Sequence, residues 1–324
     1  MTPSNTAESS SEAGSAARVH STASAAPEKH EDHRLVDTNG QSGAQVTVYR
    51  PNQRHELGFF NTWAVMASNI IDSRELIWQL FKRDFFASYK KSFVGITWIF
   101  LAPILGIVSW VFLNMTGILD PGDVGIPYPA YVLVGTSIWG LFMGFYTSAT
   151  ETLSAGSALV MEVKYPHEAL LFKQTAQHLA TFLMTFVVNI VVPIAFGVIP
   201  SWKIVFFPLV ALPLFFLGAG IGLIFSMVSI VAVDVNKIVG VGMGLLVWIT
   251  PVIYSDKFDN PIVQTLIRWN PLTYLVCSAR DIVVYGRLYG GTAYFICGGL
   301  SLLVFLISWR LFYVSEDRII EKMI

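Results

Sequence analysis

Residues able to do chemistry are sparse in this chain, and many of them collect in one stretch. Between Lys257 and Arg287, Arg268, Asn270, Thr273, Ser278, Arg280 and Asp281 are interleaved with Leu266, Trp269, Leu272, Leu275 and Val276. Elsewhere the candidates fall away. His20, His30 and His33 could ligate a metal, but they sit in a segment too polar to bury its own ordering cost. Cys277 and Cys297 lie far apart with no ligand spacing, so two buried free thiols are expected, not a metal centre or a disulfide framework. The run GVGMG at Gly240–Gly244 lacks a preceding strand and lies inside an apolar stretch. No P-loop pattern occurs in the chain, so it does not bind ATP by that route.

The elements that position the polar stretch can be read from its flanks. Ile238–Ile253 is apolar but barely as long as a spanning helix requires, and Pro251 breaks its pattern. Proline disfavours helical geometry in the residue before it, so Asn270-Pro271 divides the next segment into two short helical pieces. Two half-apolar helices after a span predict a re-entrant hairpin dipping into the outer membrane face. Irregular backbone at that depth must be buried in protein or line a wet cavity, so the hairpin reads as the outer end of a pathway.

Composition sets the class. The 324 residues are 54% hydrophobic and 13% charged, with a mean hydropathy of +0.58, which predicts an integral membrane protein. A net charge of −1 indicates no nucleic-acid partner. Six stretches are predicted to cross: Gly95–Asn114, Ala130–Ser148, Leu179–Ile199, Val205–Val231, Ile238–Ile253 and Ala293–Phe312. The fourth carries Pro208 and Pro213 and should tilt or kink. Gly140/Gly144, Gly218/Gly222 and Gly240/Gly244 are spaced for close helix packing.

Lys and Arg placement orients the spans. With the N-terminus inside, the inner flanks hold Arg74, Lys82, Arg83, Lys90, Lys91, Lys164, Lys173, Lys237, Arg310, Arg318 and Lys322. The outer side holds Lys203, Lys257, Arg268, Arg280 and Arg287. Eleven against five predicts both termini in the cytoplasm. The four exceptions in the hairpin region face a pore or an anionic cargo, or else bind lipid headgroups.

Residues 1–45 read as a disordered cytoplasmic tail with no signal peptide. Residues 46–92 read as cytoplasmic and interfacial helices, and 93–324 as the transmembrane domain. Within Arg74–Lys91, Ile77, Leu80, Phe81 and Phe85 make an apolar face opposite Lys82, Arg83 and Lys90, which predicts a helix lying in the membrane interface. Between spans two and three, Gly156–Lys173 is too polar to span and too apolar for a free linker. It reads as a short helix presenting Glu162, Lys164 and His167 to a soluble partner, or as an ordinary interfacial connector.

In order, the chain carries YKKSFVGITWIFLAPI, ALVMEVKYPHEALL, DVNKIVGVGMGLLVWITPVIY and WNPLTYLVCSARDIVVYG. From about Val46 onward this resembles the permease subunits of ABC-2 type polysaccharide and polyol-phosphate exporters, which move O-antigen, capsule or teichoic-acid chains. The resemblance implies an all-α, six-span fold with an N-terminal amphipathic helix. It implies a homodimer of permease chains in the bacterial inner membrane and two separate ABC ATPase subunits. ATP and Mg would be bound by those partners, with no cofactor in this chain and no catalysis by it. A lipid-linked glycan would be the cargo.

The coupling helix to the ATPase would be residues 158–170, with Met161, Glu162, Lys164, Tyr165, Pro166 and His167 in contact. The periplasmic gate would be residues 258–286, with Trp269, Asn270, Pro271, Leu272, Tyr274 and Arg280. The long Ala/Ser-rich tail lies outside the family pattern.

Sugar rings stack on aromatic planes without demanding one sequence, as nucleic-acid bases do. Trp98, Trp110, Trp139, Phe142, Tyr146, Trp248 and Tyr254 are therefore candidates for a substrate channel, or alternatively for lipid-facing belts. An exporter of a small lipophilic compound or drug on the same fold is the competing function. A secondary transporter would want titratable residues at mid-membrane, and the predicted spans hold Asn189 but no central Asp, Glu, Lys or Arg.

Overall fold

A computed structural model describes residues 59–90, 94–153, 167–257 and 260–323. These residues form ten α-helices and no strand. The predicted N-terminal tail lies outside them. Two helices come first, α1 (Phe59–Asp72) and α2 (Arg74–Lys90), followed by α3 (Thr97–Met115), α4 (Tyr128–Thr150) and α5 (His167–Ala195). A 3-10 turn at Trp202–Phe206 leads into α6 (Phe207–Val231), and α7 (Val233–Leu245) runs into a second one at Leu246–Trp248. The chain ends with α8 (Pro261–Trp269), α9 (Pro271–Val284) and α10 (Gly291–Met323).

Among the described residues, five helices are long and apolar enough to cross a membrane: α3, α4, α5, α6 and α10. The sixth expected crossing, Ile238–Ile253, differs. Its helix α7 has 13 residues and starts earlier, at Val233. Gly240, Gly242 and Gly244 weaken it, since glycine costs about 1 kcal/mol per helical position, and Pro251 closes off any continuation. Helix α5 also departs from expectation, beginning at His167 and not at Leu179. Pro208 sits in the first turn of α6, where its missing N–H is no loss, while Pro213 lies inside the helix.

The core is built around α4, whose side chains from Tyr128 to Thr150 are largely buried by the rest of the chain. Helix α6 approaches it closely because two positions carry no side chain. A Cβ on Gly218 would stand 2.9 Å from the Phe142 carbonyl oxygen, and one on Gly222 would collide with that of Tyr146. At Gly144 the missing side chain makes room for the His178 ring of α5, whose Nε2 lies 3.1 Å from the Leu141 carbonyl. Gly140, Gly240 and Gly244 meet nothing within 4 Å, so of the three expected glycine pairs only Gly218/Gly222 packs as a pair among the described residues. Helix α3 is the opposite of α4, with only Ile99 and Ile107 buried, Trp110 and Val111 packed against the core, and most of its remaining apolar surface turned outward.

Helix α2 lies along the start of α5. Leu80 is buried with Ala169 and Leu170, and Ile77 packs against them. Beside this contact Lys173 donates to Asp84 at 2.7 Å.

Candidate functional site

The pair of short helices α8 and α9 is made by two asparagine–proline steps. Asn260 caps α8, its side-chain oxygen accepting from the Ile262 and Val263 amides at 2.9 and 3.4 Å, with Pro261 in the first turn. Asn270 ends α8 in extended geometry and caps α9, accepting from the Leu272 amide at 3.0 Å ahead of Pro271. Asparagine supplies the acceptor a helix start needs, and proline fits the first helical position. The split expected at Asn270-Pro271 is therefore present, and its causes are local.

The two helices have different surroundings. Helix α8 buries Ile267 and leaves Ile262 and Trp269 70% and 84% exposed. Along its open side runs a shallow apolar depression of about 320 Å³ lined by Pro261, Ile262, Thr265 and Leu266. Helix α9 is buried from Leu272 to Val284, apart from a half-buried Tyr274 whose hydroxyl donates to the Arg268 carbonyl at 2.9 Å.

Arg280 was expected to face a pore, a cargo or lipid headgroups. It does none of these, because it is enclosed at 7% exposure. Its Nη1 donates to the Tyr131 hydroxyl at 2.5 Å and to the Pro251 carbonyl at 3.0 Å. Its Nε and Nη2 both donate to Asp281 Oδ1 at 3.2 Å. The guanidinium also stands 4.4 Å from the Tyr131 ring centroid. The Tyr131 hydroxyl passes the chain on, donating to the Tyr254 carbonyl at 2.7 Å. A buried charge is tolerated when it is paired and its donors are used, and Arg280 meets that condition. One helical turn from Tyr131, Gly135 lets the Val252 carbonyl come into contact with α4. The neighbouring cations Lys203, Lys257, Arg268 and Arg287 are exposed.

The seven candidate aromatics divide by burial. Trp98 and Trp248 are about half exposed, at 50% and 54%. Trp110 and Trp139 are half-buried, the former edge-on to Trp248 with centroids 5.6 Å apart. Phe142 and Tyr146 are enclosed between α4 and α6, and a side chain with no exposed face has none to give a cargo. Tyr254 is also buried, with its hydroxyl donating to the Trp248 carbonyl at 2.6 Å.

Among the coupling candidates, Met161, Glu162, Lys164, Tyr165 and Pro166 lie outside the described residues, and His167 opens α5. Just beyond them in the chain, Glu168 is buried, and the Asp84–Lys173 pair ties α2 to α5. Partial burial works against the Asp84 charge, but Arg83 and Lys173 outweigh it and hold the carboxyl below the usual aspartate range. Of the two thiols, Cys277 is buried and Cys297 half-buried, and both are free. Among the described residues no group of three His, Cys, Asp or Glu side chains could hold a metal.

Sequence reasoning missed Tyr131, Thr250 and Asp84 as partners. A signal existed for the first. Arg280 and Asp281 stand adjacent in an otherwise apolar helix, and a charge there needs a donor or acceptor from another helix.

A family model described as ABC-2 type transporter matches residues 75–284. An "O-antigen export system permease protein RfbA" from Myxococcus xanthus is 24% identical over 251 residues, 77% of this chain and 95% of that protein. A protein of the same name from Klebsiella pneumoniae is 24% identical over 216 residues, 66% of this chain and 82% of its own length.

Proposed function

We propose a function from one premise: the chain belongs to the ABC-2 type transporter family. It is a multi-pass membrane protein similar to O-antigen export permeases, and family membership implies an ABC ATPase partner. Within that frame, the chain is the permease half of an exporter that moves a lipid-linked polysaccharide across the bacterial inner membrane. The observation that carries this is the alignment over 95% of the length of a protein named as an O-antigen export permease.

Two copies form the channel, and two separate ATPase subunits bind and hydrolyse ATP with Mg. Both termini are cytoplasmic, with a disordered tail before the interfacial helices. The short helix α7 with its 3-10 extension completes a sixth crossing, and α8 and α9 form a hairpin re-entering from the outer side. Residues 158–170 receive the ATPase motion, through Met161, Glu162, Lys164, Tyr165, Pro166 and His167. Gate contacts come from Trp269, Asn270, Pro271, Leu272 and Tyr274, with Arg280 serving the gate from behind by holding α9. Trp98, Trp110, Trp139 and Trp248 offer the planes on which sugar rings slide, since stacking on a ring face is tolerant of sequence. Phe142, Tyr146 and Tyr254 support that surface from within.

The test is reconstitution of the chain with its ATPase in vesicles. ATP-dependent transfer of a labelled lipid-linked oligosaccharide, with no hydrolysis by the permease alone, is the expected result. Transfer of a lipophilic dye but not of the oligosaccharide would favour the small-molecule alternative. Robust ATP hydrolysis by the isolated chain would overturn the division of labour.

A further inference from the structure

The two helices of the outer hairpin differ in what motion would cost each of them. Helix α9 is anchored at three points along its length. At its start the Asn270 side-chain amide donates to Thr250 Oγ1 at 2.9 Å. At its middle Ser278 Oγ donates to the Tyr289 carbonyl and accepts from the Tyr289 amide, both at 3.1 Å. Near its end Arg280 is bound to Tyr131 of α4 and to the Pro251 carbonyl. Displacing α9 would carry Asp281 along but pull the guanidinium's Nη1 off both Tyr131 and Pro251, a costly contact to break for a buried charge. Among the described residues, helix α8 has no comparable anchors. Its core contacts are Ile267 and the half-buried Val263, and its contact with α9 through Tyr274 is an exposed hydrogen bond to the last turn.

The bend between the helices is shared, because the Asn270 N–H donates to the Leu266 carbonyl of α8 at 3.1 Å, but its side chain is held from the α9 side. Asn270 caps α9 and is tied to Thr250, so its position is set by the anchored side. A rotation about the backbone at Trp269–Asn270 would lift α8 while leaving every α9 anchor in place. It would break the exposed Tyr274–Arg268 bond and the Asn270–Leu266 capping bond, which water can replace, and expose Ile267.

We propose that α8 alone is the moving flap of the outer closure, turning at the Asn270 elbow on a base formed by α9, with Arg280 the positioning residue that fixes that base. The proposal rests on the reading of the chain as an exporter but makes a claim about the hairpin that can be checked apart from it.

The chain carries its own reporter. Cys277 is fully buried in α9, one turn from Arg280. In a Cys297→Ser background, Ile267→Cys places a second thiol at the buried point of α8. Labelling with a membrane-impermeant maleimide is followed at both positions, in vesicles holding the permease and its ATPase, with and without ATP. Expected is labelling of position 267 at least about tenfold faster during turnover, with Cys277 silent, since local opening exposes only the unit that opens. Equal acceleration at both thiols would overturn the proposal, as would silence at both while cargo crosses.

Tyr131→Phe removes the hydroxyl that accepts from Arg280 but keeps the ring. It should make Cys277 reactive at rest while the chain still inserts. Arg280→Ala should do so more strongly, and Arg280→Lys should rescue it only in part, because an ammonium cannot reach both partners as the planar guanidinium does. Unchanged Cys277 protection in all three inserted variants would remove Arg280 from the role.

Hydrogen exchange on the permease alone in lipid nanodiscs separates this inference from the exporter reading. Amides of α8 should exchange about 100-fold faster than those of Leu275–Val284, whatever the chain transports. Comparable rates in the two helices would sink the hinge. Distinct rates without any ATP-driven transport would leave the hinge supported and place the failure in the proposed function.

Discussion

At the scale of single residues, similar side chains carry different duties according to burial. Phe142 and Trp248 are both candidate channel aromatics, yet one is fully enclosed and the other half exposed. Phe142→Ala should cost about 3–5 kcal/mol of stability, the usual result of emptying a core position. Trp248→Ala should leave the thermal midpoint nearly unchanged and lower glycan export. Thermal unfolding and transport measured on both variants would check the contrast. A midpoint loss for Trp248→Ala as large as that for Phe142→Ala would mean it is structural.

Asp84 gives a second test at this scale. Its carboxyl is held below the usual aspartate value in the folded chain, so the pair with Lys173 contributes in full above the unfolded value of about 4. That contribution is lost as pH falls through the lower folded value. Lys173 is nearly buried and Asp84 partly exposed, so Asp84→Asn should cost about 1–2 kcal/mol at neutral pH, between the exposed and buried cases. The variant should also flatten the dependence of the unfolding midpoint on pH below about 5. A parallel pH profile in wild type and variant would show that the pair does not act this way.

Helices pack here where glycine permits it, and that is testable element by element. Gly222→Val would drive a side chain into the Tyr146 carbonyl and should separate α6 from α4, with loss of folded protein. Gly240→Val meets open space within the chain and should fold. Size-exclusion profiles in detergent would distinguish them, and equal damage from both would mean the α7 face is also covered.

Elements also differ in how far the sequence makes them legible. The elbow at Asn270-Pro271 can be read directly, because a cap and a proline act on their immediate neighbours. The apolar runs of α3, α4, α6 and α10 are legible for the same reason of locality. The short α7 is less so, since apolarity alone does not reveal how three glycines loosen a helix. The early start of α5 is hidden by polar residues such as Lys173 that find partners on α2. Arg280 is the furthest from legible. Its partner Tyr131 lies 149 residues away, and only the folded chain brings them together.

Across the whole molecule, an enclosed centre is surrounded by helices facing outward. Helix α4 is the least apolar of the five candidate spans and the most buried, while α3 is apolar and almost entirely open. Such a division has a consequence for biogenesis. Helix α3 can rest in lipid as soon as it leaves the ribosome, but α4 is completed only by α6, which is synthesised more than fifty residues later. Before α5 emerges the Ser137 hydroxyl lacks Asn189, and until α6 follows the bare backbone of α4 that will face Gly218 and Gly222 has only lipid or the insertion machinery beside it. A nascent chain stopped after Leu153 should therefore be retained by the translocon or degraded, whereas one extended through Val231 should be released into the bilayer. Pulse-chase of the two truncations would show it, and equal lifetimes would mean that α4 settles in the membrane without its companion.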